Sequence, residues 1–95
     1  MRPYYSDYVS RALRCWARGI TPASEADVLA RQGVIRALAH FPEGEARILQ
    51  VLYSAKKPFV RALCDYAALH SYPERRLWEL ARGIERRVAK ECGIL

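Results

Sequence analysis

Hydrophobic residues recur at helical spacing along nearly the whole chain. Between residues 4 and 18, Tyr5, Tyr8, Val9, Ala12, Leu13 and Trp16 follow at intervals of three, one, three, one and three. That spacing puts them on one side of an α-helix. Arg11, Arg14 and Arg18 fall on the other side, and Gly19 suits the residue just past a helix end. Thr21-Pro22 restarts the chain, with Ser24 and Asp27 as two candidate caps. A second helix is expected to about residue 40, burying Val28, Leu29, Val34, Ile35 and Leu38. Gly33 inside it costs about 1 kcal/mol against Ala, which points to a close helix crossing there.

Phe41-Pro42-Glu43-Gly44 breaks the pattern. A short third helix over about residues 45–53 gathers Ile48, Leu49 and Leu52 on one face, and Ser54-Ala55-Lys56-Lys57-Pro58 forms a basic connector. The fourth helix, residues 59–70, buries Phe59, Leu63, Tyr66 and Ala67. After Ser71-Tyr72-Pro73 a fifth runs from about residue 74 to 92, with Leu77, Leu80, Ala81, Ile84 and Val88 as its buried stripe and Gly93 past its end. No segment alternates as a strand would. The expected fold is a single all-α domain of about five helices, with N-terminal helices over residues 1–53 and a helix-turn-helix-like unit over 54–95.

Charge narrows the function. Sixteen Lys plus Arg face ten Asp plus Glu, a net +6, and because Lys56, Lys57 and Lys90 are the only lysines, thirteen of the sixteen cations are arginine. Guanidinium forks bind phosphates and carboxylates bidentately, so this bias favours a polyanionic partner. Cys15, Cys64 and Cys92 are odd in number and form no C-x-x-C pair, which excludes a disulfide framework or zinc knuckle and implies a reducing, cytoplasmic setting. Cys64 is expected to be a buried thiol. The first residues lack the apolar core of a signal peptide, and no run of 18 apolar residues exists, so neither secretion nor membrane spanning is expected. His40 and His70 stand at helix ends without partners at metal-ligand spacing, and no phosphate loop or nucleophile elbow occurs. The chain reads as neither an enzyme nor a cofactor carrier.

The helix-turn-helix pattern supplies the sharper hypothesis. Such a unit needs a small residue where its helices cross, a tight turn, and apolar anchors on the second helix. Ala67, Ser71, Tyr72, Leu77 and Leu80 stand at the usual offsets, with Ser at the turn position most often held by Gly. Ser71 and Glu74 also have capping-box spacing. In this arrangement Glu74, Arg75, Arg76, Glu79 and Arg82 approach base edges of double-stranded DNA, and Lys56, Lys57, Arg61, Arg86 and Arg87 hold phosphates. A salt-bridged, solvated face, with Glu79 near Arg82 and Arg86 and Glu85 near Lys90, is the plainer account of the same charges. Trp78 beside the buried stripe fits packing on the first or second helix, or an anchor for a protein partner.

Two stretches carry a family resemblance: Tyr4-Tyr5-Ser6-Asp7-Tyr8-Val9 with Arg11-Ala12-Leu13-Arg14, and Leu77-Trp78-Glu79-Leu80 with residues 84–95. They resemble small phage and prophage proteins of Gram-positive gut bacteria, which are similar to sigma-factor region 4 and to late-operon regulators. The resemblance implies a helix-turn-helix DNA binder with a transcriptional role, acting with RNA polymerase. A different class of function is a phage-encoded inhibitor or adaptor that docks on a host protein, such as an anti-CRISPR protein on a Cas effector. A membrane-surface helix is disfavoured, because the core needs the apolar stripe of the fifth helix. If the protein is a homodimer, Tyr4, Tyr5 and Tyr8 offer the expected interface.

Overall fold

The computed structural model describes residues 3–95. Five helices follow in order: α1 Ser6–Ala17, α2 Glu25–Leu38, α3 Glu43–Ser54, α4 Phe59–His70 and α5 Glu74–Glu91. Among the described residues there is no strand, and no helix is long and apolar enough to cross a membrane. The helix boundaries differ from expectation by only one or two residues at most ends, the size of ordinary fraying.

The long α5 holds the others together. It packs on α1, α2, α3 and α4, while α1 also packs on α2 and α3, and α3 on α4. Its stripe of Leu77, Leu80, Ala81, Ile84 and Val88 is buried as the spacing predicts, with Ala89 added. Two apolar clusters result. The larger joins Val9 and Leu13 of α1, Val34 and Ala37 of α2, Leu49 and Tyr53 of α3, and the later turns of α5. The smaller joins Leu52, Leu63, Ala67 and Leu77, with Phe59, Tyr72 and Trp78 packed around it.

Helix α2 departs from expectation. Ser24 caps it, accepting from the Asp27 backbone N–H at 3.2 Å, and Asp27 Oδ2 accepts from the Ala23 N–H in return. Its buried residues, however, are Gly33, Val34 and Ala37, while Val28, Leu29 and Ile35 face solvent. The cause is the crossing at Gly33, where an added Cβ would overlap Cys92 Sγ. Small residues let α2 approach α5 this closely, and the larger aliphatic residues, lying on the far side of the same helix, are turned outward.

Other local expectations change for similar reasons. Cys64 is half-exposed rather than buried, and its thiol reaches Glu74 Oε1 at 3.5 Å. Trp78 packs edge-on against Phe59 of α4, with ring centres 5.8 Å apart, not on α1 or α2. Ser71 and Glu74 form no capping box: Ser71 closes α4, and Pro73 precedes α5 with no side-chain cap.

Candidate nucleic-acid interface

The link between α4 and α5 is tight because Ser71 takes the left-handed conformation, φ 50° and ψ 42°. It is the sole non-glycine residue with positive φ among the described residues. Left-handed backbone costs an L-residue about 1–2 kcal/mol. The Ser71 N–H donates to the Ala67 carbonyl, as does that of Tyr72 at 2.9 Å, so the final turn of α4 is satisfied by the bend itself. Tyr72 then folds back, its ring edge-on to Tyr66 at 6.3 Å and packed on the smaller cluster. Helix α5 begins at once: the N–H groups of Arg76 and Leu77 donate to the Pro73 carbonyl at 3.1 and 3.3 Å. The buried Ala67, Leu77 and Leu80 lock the two helices together.

This geometry turns one face of α5 to solvent. Arg75, Arg76, Glu79, Arg82, Arg86 and Lys90 are all exposed on it. Arg75 Nε lies 3.3 Å from Glu79 Oε1, but both side chains are well exposed, so the pair is a weak tether. No carboxylate is paired with Arg76, Arg82 or Arg86 among the described residues. The pairs expected from Glu79 to Arg82 or Arg86, and from Glu85 to Lys90, are replaced by Arg75–Glu79 and Arg87–Glu91, the latter at 3.0 Å. Arg87 is drawn inward, where Nη2 also donates to His40 Nε2 at 2.8 Å while its Nε is buried without a partner. It is therefore part of the packing between α5 and the end of α2, not a free phosphate clamp.

The cations expected to hold phosphate at the start of α4 are divided. Lys56 is exposed, whereas Lys57 bonds Asp65 Oδ2 at 2.5 Å and Arg61 lies 3.4 Å from Asp65 Oδ1. The hydrogen bond from Lys57 is the chief reason the Asp65 carboxyl is held below the usual carboxylate range. Lys57 and Arg61 must share themselves with Asp65 to reach a phosphate.

Two adjoining grooves extend the basic surface beyond what helix periodicity revealed. One, about 340 Å³, is lined by Arg14, Arg18, Lys57 and Phe59 among others. The second, about 670 Å³, is lined by Arg14, Phe59, Trp78, Arg82 and Glu85 among others. Arg14 and Phe59 belong to both, so cations from α1, the connector before α4 and α5 form one continuous band. Arg18 anchors its end by donating from Nη2 to the Ala55 carbonyl at 2.9 Å. Under this band Glu85 accepts from the Tyr53 hydroxyl at 2.8 Å and the Ser6 hydroxyl at 3.2 Å. Burial, and then the neighbouring carboxylate, push the Tyr53 phenol well above its ordinary range, which keeps it a neutral donor.

The tyrosines expected at a dimer surface differ among themselves. Tyr4 is exposed yet donates its hydroxyl to the Ile94 carbonyl at 2.8 Å, Tyr5 is half-buried against the larger cluster, and Tyr8 is partly exposed. No family model, no curated protein and no solved structure matches the chain.

Proposed function

We propose that the protein binds duplex DNA through the unit formed by α4, its turn and α5, acting as a phage-type transcriptional regulator. The observation that carries this reading is the left-handed Ser71 with Tyr72 tucked behind it. At the offsets of a helix-turn-helix, the buried Ala67, Leu77 and Leu80 complete the same arrangement.

In this reading the first turns of α5 enter the major groove. Arg76 and Arg82 are the primary base readers, since neither is neutralised by a carboxylate among the described residues. Arg75 and Glu79 present a donor and an acceptor beside them. Arg14, Lys56 and Arg86 contact phosphates and fix the register. Contact with RNA polymerase, as the family resemblance implies, belongs to the same proposal.

The test is selection from a randomised duplex pool, followed by fluorescence anisotropy on the enriched sequence at several salt concentrations. Arg76→Ala and Arg82→Ala should each cost about 1–3 kcal/mol and relax the selected sequence at one position. Arg14→Ala should weaken all duplexes alike and lower the salt slope by about one. Failure to enrich any sequence, with both α5 variants binding as tightly as wild type, overturns the reading.

A further inference from the structure

The outward face of α2 is a feature that duplex binding leaves unused. Val28, Leu29 and Ile35 are 41, 58 and 53% exposed on this one helix, with Ile20 at 49% just before it. Three large aliphatic side chains on the solvent face of a 14-residue helix are unusual, because such a face is ordinarily polar.

Charge indicates what covers them. The chain as a whole is +6, so two copies repel through most of their surfaces. Helix α2 does not share that net positive charge: Glu25 and Asp27 in its early turns are balanced by Arg31 and Arg36 in its later ones. Its charge is antisymmetric along the axis, negative at the start and positive toward the end. A second copy laid antiparallel complements that pattern, because each acidic end then meets the basic end of the other and the two helix dipoles oppose.

We propose that the protein self-associates through α2, two copies pairing antiparallel about a point between Arg31 and Gln32. In that register Val28 lies level with Ile35 of the other copy, and Glu25 approaches the other copy's Arg36. Arg36 is held by Glu91 at 3.4 Å but keeps 53% of its side chain exposed, so it is oriented and still reachable. The α4–α5 turn stays outside this contact, because α4 packs on α3 and α5 whereas α2 packs on α1 and α5. A pairing limited to one helix and the loop before it falls at the small end of specific interfaces, below about 1,200 Å², where transient association is the usual outcome.

Sedimentation equilibrium without nucleic acid tests this, over protein concentrations from about 1 µM to 1 mM. The wild-type mass should climb from 10.9 kDa toward twice that value as concentration rises. Val28→Glu with Ile35→Glu should weaken association about tenfold or more, since it buries unpaired like charges. Leu29→Lys alone should act in the same direction, and Tyr8→Ser on α1 should leave the dimer intact. Circular dichroism of each variant checks that helicity is retained. A wild-type monomer at every concentration overturns the proposal, as does a dimer that survives both folded α2 variants or is lost in Tyr8→Ser. With no DNA present, the outcome is independent of whether the α5 face binds a duplex.

Discussion

Along α5 the large apolar side chains face inward and the free cations outward; along α2, packed against it, Val34 is buried but Val28, Leu29 and Ile35 face outward. The difference lies in what each helix must approach. α5 is surrounded by four helices and needs bulk to fill the spaces between them. α2 meets α5 at a single close crossing, where Gly33, Val34 and Ala37 fit and larger residues do not. Inward position on a helix is thus decided by the separation from its neighbour, and hydrophobicity alone does not rank candidates correctly.

The widest test of this contrast is a matched pair of isoleucines. Ile84→Ala in α5 removes a fully buried side chain and should cost about 2–5 kcal/mol in urea unfolding. Ile35→Ala in α2, at dilute protein concentration, should change stability by less than about 0.5 kcal/mol. Equal losses would mean that α2 faces the other way.

Tyr53 tests the polar side of α5. Replacing it by Phe strands the half-buried Glu85 carboxylate with only Ser6 as a hydroxyl donor, and should cost about 1.5–3 kcal/mol at neutral pH. The pH dependence has a defined sign. The folded-state phenol is raised, so its contribution is complete below its unfolded value near pH 10 and is lost as pH rises past it. Wild type should lose about 1.4 kcal/mol per pH unit there through this group, a slope that the Tyr53→Phe variant lacks. Chemical denaturation in buffers from pH 8 to about pH 11 reads the difference.

The crossing itself offers a reversal of sign. Gly33→Ala gains about 1 kcal/mol of helix propensity but forces Cβ onto Cys92 Sγ, an overlap costing about 1–3 kcal/mol. The net result should be a loss of up to about 2 kcal/mol in wild type. In a Cys92→Ala background the same change should stabilise by about 1 kcal/mol, as thermal unfolding of the four variants would show. A modest gain belongs to the turn: Ser71→Gly relieves left-handed strain and should raise stability by about 1 kcal/mol, leaving α5 in place.

Much of the helical scaffold was readable beforehand because helix periodicity is local. The buried stripe of α5, the cap at Ser24 and the bounds of α4 follow from residues within a few positions of one another. The candidate interface was readable only in part. Arg75, Arg76, Glu79, Arg82 and Arg86 share a face because they share a helix. Arg61 meets Asp65 one turn along α4, a spacing the sequence already holds, whereas that Lys57 also reaches Asp65, that Arg87 turns inward to His40, and that Arg14 joins Arg82 along one groove depend on contacts beyond a single helix. No spacing within a single helix encodes those contacts.

The sequence by itself determined five helices, where each begins and ends, and which side of α5 carries charge, since these depend on neighbours three and four residues away. Tertiary structure alone decided which side of α2 is buried and which cations remain free. Those outcomes depend on how closely two helices can approach, and that distance is set by the side chains of both together.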